Sequence, residues 1–222
     1  MKPMIKICGV RDAAGLRACL DAGVDAIGFN FVPGSKRWIE PSAARALLED
    51  AGLRGEGTTI APDARPRIVA VFRDQAAGTI SRMAKTLGAD AVQLHGTEPP
   101  GLCAALGGFD VWKALSGPDA DAATLDAYAS LVDLLLVDGR VPGSGEAWNY
   151  AELRALLDDD GSFDGVPVLV AGGLSADNVA RALELSGAAG ADVASGVETE
   201  GVMDAERIAA FVAAARGETD AT

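Results

Sequence analysis

The feature that most constrains the fold is an eightfold alternation of short apolar runs with longer segments of helical periodicity. Runs such as RIVAVF and LLLVDG are almost continuously apolar, which is typical of strands covered on both faces of a parallel sheet. The predicted strands are Met4–Val10, Ala26–Phe31, Arg67–Phe72, Ala91–His95, Val111–Leu115, Leu134–Asp138, Pro167–Ala171 and Ala191–Ala194. The predicted helices that follow them are Asp12–Ala22, Pro41–Ala51, Gln75–Leu87, Pro99–Leu106, Ala120–Ala129, Tyr150–Leu157, Ala176–Leu185 and Asp204–Ala215.

Eight strand–helix units in 222 residues predict an α/β protein built as a single (β/α)8 TIM barrel, with residues 1–222 in one domain. A doubly wound open sheet is the alternative. It usually needs fewer units, and no GxGxxG follows the first strand. Gly52–Pro66 and the acidic Asp158–Gly165 are predicted to be loops on the face where the strands begin, which is away from the chemistry in such barrels.

The charge balance narrows the possible partners and the compartment. With 19 Lys and Arg against 32 Asp and Glu, the net charge is −13, which disfavours nonspecific binding to nucleic acid or to an anionic membrane. Only five of the 19 cations are Lys, so we expect a halophilic protein, with an acidic protein of an ordinary cytoplasm as the alternative. No apolar run reaches about 18 residues, and Lys6 interrupts the first one, so we expect no membrane span and a cytoplasmic location.

The number and spacing of the cysteines and the single histidine argue against disulfide and metal sites. Cys8, Cys19 and Cys103 lack CxxC spacing and are odd in number, which argues against a disulfide framework and a zinc site. His95 is the only histidine, so a multi-histidine metal site is not available. We therefore expect no bound metal, and we expect Cys19 and Cys103 to be packing residues of helices.

Catalytic residues of a barrel lie where strands end, and the first strand ends with Lys6-Ile7-Cys8-Gly9. Because side chains alternate between faces, Lys6 and Cys8 share one face, which we predict to be the barrel interior. A cation beside a thiol lowers the pKa of the thiol, so Cys8 is a candidate base or nucleophile. The alternative is that Cys8 is a small buried hydrophobe.

Asp138 and Arg37 are further candidates. Asp138 closes the apolar run LLLVD, and a carboxyl group in such a place needs either a partner or a function. It is therefore a candidate general acid, and the alternative is the N-cap of the next helix. Arg37 follows the second strand and could hold a carboxylate through its planar fork, although a surface arginine fits the spacing as well. The roles of His95 and of the inward-pointing Lys113 stay open.

Glycines follow the seventh and eighth predicted strands. Gly172 and Gly173 come after one strand, and Ser195 and Gly196 come after the other. Exposed backbone N–H groups bind anions, and the loops after these two strands form the usual phosphate site of barrels. The pairing predicts a phosphorylated small-molecule substrate, whereas the alternative is a pair of tight turns.

The segments KICGVRD, GFNFVPGSKRWIEP, VQLHG, LLLVDGRVPGSGEAWNY, VLVAGGLSADNV and ADVASGVETEGVMD occur in this order between residues 6 and 204, so they are spread over nearly the whole chain. Together they closely resemble the phosphoribosylanthranilate isomerase family of tryptophan biosynthesis. The resemblance implies that Cys8 is the base, that Asp138 is the acid, and that Arg37 meets the anthranilate carboxylate. It also implies that the four residues of the glycine loops bind phosphate. No cofactor is implied, and the family occurs as monomers and homodimers.

The sequence departs from the family pattern in two loops. Gly143-Ser144-Gly145-Glu146 replaces the sixth loop's usual pair of glycines followed by Ser or Thr, Gly and Lys. Gly139 follows Asp138 where Thr is frequent, and Met203 replaces a frequent Lys of the eighth loop. These changes concern loop geometry and leave the acid and the base in place.

Three other functions are compatible with parts of this pattern. An indole-glycerol-phosphate synthase normally uses Lys and Glu as its acid and base, whereas this chain offers Cys8 and Asp138. A ribulose-phosphate epimerase uses a metal with His and Asp ligands, and a chain with one His fits that ligand set poorly. A non-catalytic barrel that senses phosphorylated metabolites would retain the glycine loops and lose Cys8 or Asp138. Both residues are present.

Overall fold

The computed structural model describes residues 2–55, 65–139 and 150–218. Strands and helices alternate through this part of the chain, as the apolar runs predict. The strands are β1 Met4–Cys8, β2 Ala26–Asn30, β3 Arg67–Phe72, β4 Ala91–Leu94, β5 Asp110–Ser116, β6 Leu134–Asp138, β7 Ser162–Phe163, β8 Val166–Ala171, β9 Gly190–Val193, β10 Glu198–Thr199 and β11 Val202–Met203. The helices are α1 Ala13–Asp21, α2 Pro41–Asp50, α3 Ala77–Leu87, α4 Pro100–Ala104, α5 Ala122–Ala129, α6 Tyr150–Leu156, α7 Val179–Ser186 and α8 Ala205–Arg216.

Eight parallel strands close into a barrel, which confirms the predicted fold class. The strands pair in the order β6-β5-β4-β3-β2-β1-β9-β8, and a further pairing of β6 with β8 closes the ring. Every strand and helix predicted from the sequence is present, and no boundary differs from the prediction by more than three residues. The open-sheet alternative is excluded by the closing pair.

Strand register sets which residues lie at one level of the barrel. Lys6 is opposite Ala26 of β2 on one side and opposite Asp192 of β9 on the other. Cys8 is opposite Gly28, and Asp138 of β6 is opposite Ala171 of β8. The register therefore places a lysine and a carboxylate on neighbouring strands one pleat below Cys8.

Two apolar clusters stabilise the barrel. The larger lies between the strands and the helices and includes Ile5 and Ile7, which are fully buried. The smaller fills the barrel interior, with Trp112 and Leu136 among its members and Cys8 packed against it. Since Ile5 and Ile7 face the helices, the predicted inward orientation of Lys6 and Cys8 is confirmed.

Carboxyl side chains begin the helices of the first and last units. Asp12 accepts a hydrogen bond from the backbone N–H of Gly15 at the start of α1. Asp204 accepts from the N–H groups of Glu206 and Arg207 at the start of α8. Such caps satisfy N–H groups that the first helical turn leaves without partners, so they fix where the loops after β1 and β9 end.

Two short hairpins were not predicted. Strands β7 and β8 pair antiparallel, and Ser162 of β7 is buried, so the prediction that all of Asp158–Gly165 is a solvated loop was wrong. Strands β10 and β11 form the other hairpin, in the loop after β9. Both are two-residue strands, and their apolar pattern is too short to recognise in a sequence.

Two predicted loops lie partly or wholly outside the described residues. Residues 56–64 of the Gly52–Pro66 loop and all of Gly143–Glu146 belong to the undescribed ranges. Within the described ranges, no helix combines the length and the apolar composition needed to cross a bilayer.

Candidate active site

A cavity of about 200 Å³ opens where the barrel strands end, as expected for a barrel enzyme. All seven residues singled out from the sequence line it. They are Cys8, Arg37, Asp138, Gly172, Gly173, Ser195 and Gly196. Asn30, His95, Leu174, Asp192, Val193 and Ala194 complete the lining. The structure thus brings together residues from six barrel strands and the loops that follow them.

Cys8 ends β1 and faces the cavity above two charged side chains. Its thiol approaches Gly28 so closely that a Cβ built on Gly28 would stand 3.0 Å from Cys8 Sγ. Burial raises the pKa of the Cys8 thiol above its ordinary value, and the charges of Lys6 and Arg37 oppose that rise without cancelling it. The expectation that Lys6 would leave the pKa below its ordinary value was therefore wrong, because desolvation disfavours a thiolate more than the lysine favours it.

Lys6 and Asp192 form an ion pair beneath the thiol. Lys6 Nζ lies 2.8 Å from Asp192 Oδ1, and the lysine side chain is fully buried. Burial disfavours the ammonium, but the charge and hydrogen bond of Asp192, together with Cys8, raise the pKa of Lys6. Burial raises the pKa of Asp192 in turn, against the attraction of Lys6.

Arg37 reaches the cavity from the loop after β2 and is held by Glu198 of β10. Its Nε and Nη2 atoms donate to the two carboxylate oxygens of Glu198, at 2.6 and 2.7 Å. The side chain crosses Gly9, whose φ is +94°, and a Cβ at Gly9 would overlap Arg37 Cδ. The hydrogen bonds from Arg37 to Glu198 raise the pKa of the guanidinium. Arg37 is therefore an ion-paired residue of the cavity and is not a free surface arginine.

Asp138 ends β6 on the opposite side of the cavity, beside His95. Asp138 Oδ2 lies 3.5 Å from His95 Nε2, and about a quarter of the Asp138 side chain is exposed. On the other side of the ring, His95 Nδ1 lies 3.4 Å from Nε2 of the fully buried Gln93. His95, left open by the sequence, thus contacts the predicted acid.

Lys113, the other candidate cation, lies in a different part of the barrel mouth. Its ammonium lies 2.9 Å from Glu98 Oε2 and 2.7 Å from the carbonyl oxygen of Gly96. It lines a second depression that shares His95 and Asp138 with the cavity. Each of Lys6, Arg37 and Lys113 has a carboxylate partner, so none of the three cations adds an unpaired positive charge to the site.

Glycine-rich loops after β8 and β9 contribute mainly backbone to the cavity lining. Gly172 and Gly173 have φ values of +88° and +67°, in the left-handed region that favours glycine. Ser195 and Gly196 form a single 3₁₀ turn after β9. A Cβ on Gly196 would overlap the carbonyl oxygen of Leu174, so a side chain at this position would push the two loops apart.

Two acidic residues of the site were missed by the sequence analysis. Asp192 lies inside an apolar strand, which is a costly place for a carboxylate, and that signal could have found it. Glu198 lies in a hairpin that the sequence did not reveal, and its pairing with Arg37 spans 161 residues. Among the described residues, no group of three His, Cys, Asp or Glu side chains could hold a metal ion.

Comparisons with known proteins place the chain in a family. Residues 5–214 match the family model described as N-(5'phosphoribosyl)anthranilate (PRA) isomerase. The N-(5'-phosphoribosyl)anthranilate isomerase of Myxococcus xanthus is 39% identical, and the match covers 97% of each chain. The enzyme of the same name from Rhodospirillum rubrum is 40% identical over 96% of this chain and 97% of the relative.

Solved structures agree with the sequence matches. The phosphoribosyl anthranilate isomerase of Thermus thermophilus superposes with a TM-score of 0.78 at 34% identity, over 96% of this chain and 98% of that one. A further isomerase structure, in complex with reduced 1-(o-carboxyphenylamino)-1-deoxyribulose 5-phosphate, superposes with a TM-score of 0.76 at 26% identity, over 97% and 99%. The chain therefore belongs to the N-(5'-phosphoribosyl)anthranilate isomerase family.

Proposed function

We propose that this chain converts N-(5'-phosphoribosyl)anthranilate into 1-(2-carboxyphenylamino)-1-deoxyribulose 5-phosphate, with Cys8 as general base and Asp138 as general acid. The observation that carries the proposal is that both side chains line one cavity together with the glycine loops after β8 and β9. A cavity of this kind can hold a phosphosugar between an anion site and two groups that exchange protons.

The two anionic groups of the substrate are assigned to different residues of the cavity lining. Gly172, Gly173, Ser195 and Gly196 bind the phosphate, because their backbone N–H groups are the donors that loops in this position of a barrel offer to phosphate. Arg37 binds the anthranilate carboxylate. Glu198 uses the Nε edge of the guanidinium, which leaves Nη1 and a second Nη2 hydrogen for the substrate.

The first chemical step opens the ribose ring. Protonated Asp138 donates its proton to the ring oxygen while the bond from that oxygen to C1 breaks. The nitrogen lone pair forms the C1–N double bond of an iminium ion, and Asp138 is left as a carboxylate. His95, 3.5 Å from Asp138 Oδ2, lies beside the group that loses this proton.

The second step takes a proton from C2. Cys8, as the thiolate, removes that proton, and the C2–H electron pair becomes the C1–C2 double bond while the iminium electrons return to nitrogen. The resulting enolamine gains a proton at C1 and loses the C2 hydroxyl proton, which gives the ketone. No oxidant takes part, because the iminium nitrogen accepts the electrons and returns them.

The decay of fluorescence of freshly prepared phosphoribosylanthranilate tests the assigned function. We expect the chain to accelerate the decay and the Cys8→Ala/Asp138→Asn double variant to lose the acceleration while it retains binding of the reduced product analogue. A chain that binds the analogue but never accelerates the decay would instead be a sensor of phosphorylated metabolites. Such a result would contradict the proposal.

We also propose a cytoplasmic, salt-adapted enzyme of one domain, active as a monomer or homodimer. The net charge of −13 with only five lysines supports adaptation to salt, because salt screens repulsion between carboxylates. The family includes an isomerase of Thermotoga maritima described as dimeric, 26% identical to this chain. Thermal unfolding in rising KCl tests the salt adaptation, and maximal stability in dilute buffer would contradict it.

A further inference from the structure

We propose that Lys6, held in place by Asp192, is a positioning residue for the isomerase reaction: its ammonium stabilises the Cys8 thiolate that takes the proton from the substrate. This inference rests on the proposed function, in which Cys8 is the base. It assigns a task to a buried ion pair that the mechanism has not used so far.

The geometry brings the ammonium and the thiol to one point. A Cβ built on Gly28 would lie 3.0 Å from Cys8 Sγ and 3.2 Å from Lys6 Nζ, so both atoms crowd the space that the missing side chain leaves. The register that pairs Cys8 with Gly28 and Lys6 with Asp192 fixes this arrangement in the strands themselves. Groups held by strands are positioned more precisely than groups held by loops.

Burial of the Lys6–Asp192 ion pair costs free energy of desolvation, so its presence calls for a functional explanation. Lys6 is fully buried and Asp192 nearly so, and two apolar residues of similar volume would fill the space without any desolvation of charge. Asp192 and Cys8 both raise the pKa of Lys6 against the effect of burial, so the lysine still has an anionic partner in the thiolate when Asp192 is removed. A charged ammonium therefore lies beneath the thiol.

The charges around Cys8 come from three directions. Lys6 from the same strand and Arg37 from the loop after β2 both favour the thiolate, whereas Asp192 from β9 disfavours it. His95 and Asp138, from β4 and β6, act on Asp192. Burial still raises the pKa of Cys8 overall, so the thiolate is a minor state and every group that stabilises it increases the reactive population.

Opposite effects of the two partners distinguish this task from a merely structural one. Removal of the ammonium in Lys6→Met should raise the pKa of Cys8. Removal of the carboxylate in Asp192→Asn should lower it, because Cys8 then becomes the nearest anion to Lys6. A pair that only holds the strands together would weaken folding in both variants and would leave the thiol of the folded fraction unchanged.

The experiment is the pH dependence of iodoacetamide alkylation of Cys8, followed by mass spectrometry of the modified peptide. Cys19 and Cys103 are buried, and burial raises the pKa of Cys19 to about 12, so Cys8 reacts first. At one pH below the inflection, Lys6→Met should react about tenfold more slowly than the wild type, which corresponds to one pKa unit. Asp192→Asn should react faster than the wild type at that pH.

Two further variants keep the test decisive. Lys6→Met/Asp192→Asn carries neither charge, so it folds without an unpaired buried ion, and we expect slow alkylation in it too, because the ammonium is gone. Lys113→Met removes the other buried lysine, whose Glu98 partner is 2.9 Å away, and should leave the Cys8 profile unchanged. Folding of each variant is checked by its thermal transition before alkylation.

Alkylation profiles of Lys6→Met and the double variant that match the wild type would overturn the proposal. A shift of the Cys8 alkylation profile in the same direction in Lys6→Met and in Asp192→Asn would also overturn it. The alkylation rate does not depend on turnover, so this failure is separate from failure of the proposed function, which Cys8→Ala with unimpaired turnover would reveal.

Discussion

The two ends of the cavity are built in different ways. At one end, Cys8, Arg37 and Asp138 present side chains. Cys8 lies above the Lys6–Asp192 ion pair, and Arg37 is itself paired with Glu198, so both depend on partners far apart in the sequence. At the other end, the two glycine pairs after β8 and β9 present mainly backbone, and no lysine or arginine of the described chain lines it. We call these the side-chain end and the glycine end.

The difference separates two tasks. A side chain can gain or lose a proton, so the side-chain end can change its charge during the reaction. Backbone N–H groups keep one charge distribution throughout, so the glycine end can hold phosphate in the same way before and after the reaction. We expect substitutions at the first end to change kcat or the binding of the carboxylate, and substitutions at the second to change KM.

The largest effect should come from the two reacting groups. Cys8→Ala and Asp138→Asn should each lower kcat by about 10²–10⁴-fold, because each removes one general acid or base. Binding of the reduced product analogue, measured by calorimetry, should stay within about threefold of the wild type, because neither group carries a substrate charge. Loss of analogue binding together with turnover would show that these residues shape the site and do not drive the chemistry.

Arg37→Ala should come next and should act on KM. A hydrogen-bonded charge pair contributes about 1.5–3 kcal/mol, so KM should rise by about 10- to 100-fold, with a smaller change in kcat. Arg37→Lys is the matched variant, since it retains the charge and loses the planar fork. Steady-state kinetics would contradict the assignment if kcat fell while KM remained unchanged.

The glycine end should respond to backbone strain. Gly173 has a φ of +67°, so Gly173→Ala should cost about 1–2 kcal/mol in the left-handed region and should disturb the donors to phosphate. Gly217, at the end of α8, has the same φ of +67° and lies outside the cavity. Both variants should unfold at lower temperature, but only Gly173→Ala should raise KM, by several-fold. An equal KM in the two would remove Gly173 from the phosphate site.

The smallest effect should come from Glu198, which contacts Arg37 and not the reacting atoms. Glu198→Gln retains the size of the side chain and loses the charge, so Arg37 becomes less firmly held and KM should rise by about two- to fivefold, the effect of a modest hydrogen-bond loss. In Arg37→Ala, the same change should have no further effect on KM. Additive effects would show that Glu198 acts on the substrate by another route.

How much could be predicted from the sequence differs between the same two ends. Apolar runs and glycine pairs gave the strands and the glycine end, because strand period and turn chemistry are local properties. Cys8 and Asp138 could be found because they close predicted strands. The carboxylates that pair with Lys6 and Arg37 could not, since they are 186 and 161 residues away and only barrel closure brings them near.

The sequence also could not show whether nearby charge or burial has the larger effect on the pKa of Cys8. Alternation of side chains placed Lys6 under Cys8 correctly, but it carried no information on how completely the thiol is removed from water. Burial proved the stronger effect and raised the pKa of Cys8. A local sequence pattern can thus identify the groups of a site, whereas the direction of their pKa shifts depends on the whole barrel around them.

In the proposed mechanism, Cys8 and Asp138 act on one substrate that contacts both the side-chain end and the glycine end. A crystal structure of this chain with reduced 1-(o-carboxyphenylamino)-1-deoxyribulose 5-phosphate tests it most directly. We expect the phosphate at Gly173 and Gly196, the carboxylate at Arg37, and Cys8 Sγ next to C2 of the sugar. A bound analogue that leaves Cys8 or Asp138 out of contact with the sugar carbons and oxygens would contradict it.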